Sequence, residues 1–241
     1  MMRQSVLATI TLLLLMSGPT FAQVPEEYVS RSDYFSISFP TPPTIEESTY
    51  PTEYRITLPA RVYKSTGGRN RYQVTVVDYR NAVANHDARN KKCALDAAGG
   101  RTGLSDAEIR KIAGDSCQDD GPEDVRGAMM FATWNLIQKA AKVTHLAHYN
   151  SDLVEGHEVH VTNPDESRTY AVIHMHENRL YIAEATVPKG AAAANWFQIS
   201  IRFLDEQFTP VRYQWVGTTL YSNGYPKPQR AGAGGGQPAA R

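Results

Sequence analysis

Histidines are the one reactive side-chain type concentrated anywhere in the chain. Six of the seven, His145, His148, His157, His160, His174 and His176, fall within 32 residues. Imidazole ligates zinc, copper and nickel. Spacing decides which of these could share a site. On a strand, residues two apart point to one face. His174 and His176 therefore share a face, whereas His157 and His160 oppose each other, as do His145 and His148. Only one member of each such pair can join His174 and His176, and hairpin register selects which. The candidate metal ligands are His174, His176 and His160, with Glu158 or Glu184 able to complete a set. The run His157-Glu158-Val159-His160 has the composition of a zinc-protease motif. That motif needs histidines four apart on a helix, and here they are three apart in a strand-like run.

Two cysteines occur, Cys93 and Cys117. In an oxidising compartment such a pair most simply makes one structural disulfide. A redox pair would be spaced C-x-x-C, and this pair is not. Closing a loop of about 25 residues stabilises a fold by roughly 3 kcal/mol in the chain-entropy picture. No G-x-S-x-G elbow, no phosphate-cradling G-x-x-x-x-G-K-[ST] loop and no dinucleotide-type glycine pattern is present. No acid and base pair stands out among the carboxylates. Lysine plus arginine number 25 and aspartate plus glutamate 25. That balance lacks the basic excess of a nucleic-acid-binding domain.

The N-terminus implies export. Arg3 precedes an apolar stretch from Val6 to Met16, Ser17-Gly18-Pro19 breaks it, and Thr20-Phe21-Ala22 supplies the small residues of a cleavage site. The expectation is a signal peptide over 1–22, cut after Ala22, and a periplasmic or secreted mature chain. The apolar stretch is too short for a span of roughly 20 residues. No membrane span and no nucleic-acid partner are expected.

Positioning elements follow from periodicity. Residues 35–39, FSISF, alternate as a half-buried strand. Residues 54–63 and 71–79 alternate around the turn signal Ser65-Thr66-Gly67-Gly68, which predicts a hairpin. Pro59 marks the first of these strands as an edge or a bulge. Residues 81–122 form a polar excursion holding both cysteines. Inside it, Ser105 and Glu108 make a capping box opening a short helix to about Ala113. Residues 122–141 predict a long buried helix, with Val125, Ala128, Met129, Ala132, Leu136 and Ala140 as its apolar stripe and Met130, Phe131 and Trp134 widening it. Strand-like runs follow at 143–149, 157–162, 170–176 and 180–187. A second helix is expected over Asn195–Glu206, then a short strand over Val211–Trp215. From 223 to 241 the Gly, Pro and Ala composition predicts a disordered tail. Residues 23–222 are left as one domain.

This order of elements, with the segments RLYIAEATVPKG (179–190) and WFQISIRFLD (196–205), resembles the PsbP-like fold family, shared by the extrinsic photosystem protein and many small exported bacterial proteins. The resemblance implies an α+β fold, a twisted antiparallel sheet flanked by helices in an α/β/α sandwich. It implies no catalytic residue. The leading functional expectation is a non-catalytic accessory or binding module with a protein partner and no cofactor. The alternatives are a periplasmic metal-binding protein using histidines of the 143–176 strands and an enzyme with an unrecognised site.

Overall fold

The computed structural model describes residues 24–99, 101, 103–117 and 120–211. The expected signal segment, its cut after Ala22, the tail from 223 and all of the 211–215 run except Val211 lie outside the described residues.

Among the described residues, ten strands form two antiparallel sheets. In chain order they are β1 (Glu26–Ser30), β2 (Phe35–Phe39), β3 (Thr44–Pro51), β4 (Thr57–Gly67), β5 (Asn70–Asp78), β6 (Lys142–Ser151), β7 (Val154–Thr162), β8 (Arg168–His176), β9 (Arg179–Val187) and β10 (Arg202–Phe203). The large sheet has the order β3-β4-β5-β9-β8-β7-β6, and the small one β1-β2-β10. Three helices lie between β5 and β6: α1 (Ala82–Ala97), α2 (Asp106–Ala113) and α3 (Gly121–Lys139). The fold is α+β, a large antiparallel sheet with helices flanking it.

Each face of the large sheet has its own core. Against the helices lie Leu58, Ala60, Val77, Val159, Val161, Ile173, Met175 and Leu180 with Val125, Ala128 and Ala132 of α3. Against the small sheet lie Tyr63, Val74, Val172, Tyr181 and Ala183 with Phe35, Ile37, Phe39, Phe197, Ile201 and Phe203. Fully burying a side chain of this size contributes about 1.5–3 kcal/mol.

The 54–63 and 71–79 hairpin is present as β4 and β5, although Tyr54 and Arg55 belong to the preceding turn, where Arg55 has φ 64°. Pro59 sits one residue beyond the last β4–β5 pair. It is paired with Thr49 of β3, while the β4–β5 pairing begins at Ala60 and Val77. Its missing N–H therefore costs the ladder nothing on that side.

Three expectations need correction. The helix over Asn195–Glu206 is not formed. A short 3-10 turn, Gln198–Ser200, leads into β10, where Arg202 and Phe203 pair with Ser36 and Phe35. Extended backbone lets Ile201 and Phe203 both enter the core at period two, which a helix would not. One face of the large sheet is thus covered by helices and the other by the small sheet, so the layers are not α/β/α. Secondly, the polar excursion contains a 16-residue helix, α1, which buries only Ala82, His86 and Ala94. Thirdly, α3 forms as expected, but Met130 and Trp134 point outward, 62% and 54% exposed. They stand on the side of α3 opposite Val125, Ala128 and Ala132.

Ser105 and Glu108 form the expected capping box: Ser105 N–H donates to Glu108 Oε2 at 2.8 Å, and Glu108 N–H donates back to Ser105 Oγ at 3.4 Å. The disulfide joins Cys93 in α1 to Cys117 just before α3, 24 residues on. The double variant Cys93→Ser/Cys117→Ser should lose about 2–4 kcal/mol in urea unfolding, and the unsubstituted protein should lose the same in reductant.

Candidate functional site

Register fixes where the histidines fall. On β6 and β7, His145 pairs with His160 and His148 with His157. On β7 and β8, Gly156 pairs with His174 and His160 with Tyr170. The side facing the small sheet therefore carries His145, His160, His174 and His176. The side facing the helices carries His148 and His157. The register places His160, and not His157, on the face of His174 and His176. It stands opposite Tyr170, however, four residues along β8 from His174. At about 3.3 Å per residue this is roughly 13 Å, too far for one ion. Among the described residues, no group of three or more His, Cys, Asp or Glu is arranged to hold a metal. Sequence periodicity gives the face, and only the sheet gives the distance along it. Glu184 lies on the other face, opposite Ala171 and Gln73. Burial beneath the helices raises its carboxyl pKa.

His174 belongs to the core. It is fully buried between Phe203 and Tyr149, with ring centroids at 5.1 and 5.7 Å. Its Nδ1–H donates to Glu155 O at 3.1 Å. The opposite residue is Gly156, where a Cβ would overlap the His174 ring and the Ile173 carbonyl. Burial, opposed by backbone hydrogen bonding, lowers the His174 pKa to about 4. His176 is half-buried against Phe203. On the outer strands, Glu158 holds two rings. His160 Nε2 lies 2.9 Å from Oε1 and His145 Nε2 lies 3.6 Å from Oε2. On the helix side, the Thr133 hydroxyl donates to Met129 O at 2.9 Å, so it accepts from His157 Nδ1–H at 2.8 Å. Burial first, and the nearby His148 second, lower the His157 pKa.

The seventh histidine, left aside by the sequence pattern, makes the most enclosed polar contact. His86 of α1 donates through Nε2–H to Asp124 Oδ2 of α3 at 2.7 Å, and both side chains are fully buried. Thr52, between β3 and β4, donates its hydroxyl to the same oxygen at 2.5 Å. The hydroxyl and the imidazole both donate to one carboxylate oxygen, so the imidazole is not in line to take the hydroxyl proton. The trio ties a turn of the sheet to two helices. Nothing in a spacing of 38 residues between His86 and Asp124 could have shown it.

β6 stands at the edge of the sheet opposite β3. It is the last strand of the large sheet, and no strand among the described residues pairs with its outer side. α3 covers Val159 and Val161 of β7. Leu146, the neighbour of Val159 on the same face, is left 54% exposed, and Val143, the neighbour of Val161, is exposed too. The ladder is irregular between Val143 and His145, then regular to Ser151. The opposite edge, β3, differs in chemistry. Glu46 and Glu47 stand there, paired to Lys64 and Arg61 at 2.6 and 2.8 Å, and Pro51 ends the strand. Charges and proline discourage strand addition. From His145 to Asn150, β6 carries neither.

No protein-family model matches this chain, and no curated protein matches it.

The buried imidazole gives a pH signature. The His174 pKa is lowered from 6.5 to about 4 on folding, so the unfolded chain binds this proton more readily. Its neutral burial is free of penalty above pH 6.5 and destabilises progressively as pH falls towards 4. By pH 5 the loss amounts to about 2 kcal/mol. His174→Leu should remove that part of the fall between pH 6.5 and 5, read from urea midpoints. An unchanged slope would assign it to another group. Gly156→Ala should lower stability by about 1–3 kcal/mol, because the strand opposite cannot retreat from the new methyl.

Proposed function

We propose that this chain is an exported, non-catalytic accessory module that takes up an extended segment of a protein partner along the free edge of β6. The carrying observation is the combination of an unpaired strand edge with an exposed Leu146 beside a buried Val159. Strand addition supplies backbone hydrogen bonds, and an exposed apolar position supplies a side-chain contact. The contrast with β3 strengthens the reading, since one edge is charged and ends in proline while the other is open. The enclosure of His174, and of His86 with Asp124, supports a structural use of these groups in place of acid–base chemistry.

Export belongs to the same proposal. Its support is the N-terminal pattern of residues 1–22 together with the one disulfide. So does kinship with PsbP-like proteins, which rests on element order through β9. The expected closing helix does not form, so that segment no longer contributes to it.

The test uses the mature protein in its own exported compartment, with a photo-crosslinking residue at exposed Thr144 or Asn150 of β6, or at Ser48 of β3. Crosslinks to one defined partner from β6 and not from β3 are expected. They should disappear in Leu146→Lys, which leaves the thermal midpoint within about 2 °C because the residue is exposed. Crosslinks only from β3, crosslinks only to a second copy, or a bare native mass at every position would each overturn the reading.

A further inference from the structure

Away from β6, at the end of the sandwich where the β1–β2 turn meets the β8–β9 turn, two aromatic rings and two guanidiniums form a column. The Arg31 guanidinium lies 4.7 Å above the Phe208 ring. Phe208 stacks on Tyr34 at 5.8 Å with an interplanar angle of 11°. On the far side of Tyr34 lies the Arg179 guanidinium, 4.8 Å from the ring centroid. Both aromatic residues hold left-handed backbone conformations, Tyr34 at φ 55° and Phe208 at φ 59°. Bulky side chains are seldom found there, and the surroundings must impose it.

Arg179 is the unusual member. It is the first residue of β9 and only 7% exposed. An arginine stays charged even when buried, so it cannot escape its burial by losing a proton. Among the described residues, it takes part in no salt bridge and no side-chain hydrogen bond. Asp78 stands directly opposite it in the β5–β9 register. Both oxygens of Asp78 are instead taken by Arg80, at 2.8 and 2.5 Å. The next carboxylate, Asp33, is held by Arg61 at 2.9 Å and by the Tyr63 hydroxyl. These two carboxylates are thus hydrogen-bonded elsewhere, Asp78 acts on Arg179 only as a charge across the strand pair, and the Tyr34 face is the direct side-chain contact of Arg179 among the described residues. Its nitrogens are not among the buried side-chain atoms that are sealed from solvent without a partner.

We propose that Arg179, seated on Tyr34, is the anchor of a binding site for an oxyanion, the carboxylate or phosphate group of a small ligand. The planar fork of the guanidinium matches two oxygens of such a group. The ring behind it holds the fork in place without using its donors. Arg31 at the other end of the column adds a second positive charge to this end of the sandwich. The site shares no residue with the β6 edge, so either proposal can fail alone.

The test is an NMR titration of the full mature protein with sodium phosphate and, separately, sodium acetate, at constant ionic strength set with chloride. Saturable shifts of the Arg179 Nε–H and Tyr34 ring signals are expected with at least one anion. A response to phosphate alone assigns a phosphate ligand, and a response to acetate alone a carboxylate. Arg179→Gln should abolish the saturable response. Arg179→Lys should weaken it at least tenfold, and Arg89→Gln, on α1, should leave it unchanged. Arg179→Met separates binding from packing. In anion-free buffer it should melt at or above the unsubstituted protein's midpoint, because it removes a buried charge that forms no ion pair among the described residues. No saturable shift with either anion, or an equal response in Arg179→Gln, overturns the proposal. So does a marked loss of stability in Arg179→Met, which would make the guanidinium a strut of the fold.

Discussion

The central strands of the large sheet are buried on both faces, and the rest of the molecule is arranged to satisfy that requirement. In β8, the seven residues from Thr169 to Met175 are all buried. A strand of this kind is stable only if something apolar covers each side. Here the two covers differ. The helical insertion between β5 and β6 lays α3 over one face, with small residues Ala128 and Ala132 against the strands. On the other face, the N-terminal strands β1 and β2 meet β10 from the far end of the chain. Phe35, Ile37 and Phe39 face Tyr181 and Val172 across that layer. Two segments more than 160 residues apart thus complete one core, as the pairing of Phe35 with Phe203 records.

Double coverage leaves little room for polar groups, and those that lie inside are bound locally. His174 is accommodated because its neighbour across the strand is glycine and a backbone carbonyl accepts its proton. The Tyr181 hydroxyl donates to Asp33 O at 2.7 Å, pinning the β1–β2 turn to the centre of the sheet. His86, Asp124 and Thr52 do the same on the helix side. Each contact joins elements distant in sequence, so together they specify which cover sits on which face. Buried polar groups left unmatched by another arrangement would destabilise it.

Groups open to another molecule are then left to the margins. At the margins of the two-sided core lie the lateral edge of the sheet and the ends of the sandwich. β6 is such an edge: α3 stops covering the sheet at β7, and Leu146 is left in solvent next to a residue that is not. The turn-rich end is the other. There Tyr34, Glu177, Asn178 and Phe208 all adopt positive φ, and Arg179 is drawn into the core margin without a carboxylate of its own. The interior carries the stability and the margins carry the chemistry that could face a ligand.

Local sequence determined the elements whose side chains obey one period. FSISF, the 57–78 hairpin, the four strands from 142 to 187, the capped helix α2 and the stripe of α3 were all legible, because alternation or helical spacing of apolar residues follows directly from burial of one face. The pairing of Cys93 with Cys117 was legible too, since two cysteines have a single way to join. Elements with little to bury gave no such signal. β1 and β3 are edge strands, β3 almost wholly exposed, and α1 buries two alanines and a histidine. Segment 195–206 deceived because Phe197, Ile201 and Leu204 fit a helix, while Ile201 and Phe203 fit a strand. Short apolar runs satisfy both periods, and only the vacant place beside β2 chose between them. The sites were less legible still. Alternation placed His174 and His176 on one face and left His157 or His160 to the register, which chose His160 but set it far along the sheet, and distance is absent from a one-dimensional pattern. The enclosure of His86 by Asp124, the open edge of β6 and the lack of an ion pair at Arg179 among the described residues are relations between residues far apart in the chain. Tertiary structure alone decided them, because burial and charge balance depend on what the rest of the fold brings alongside.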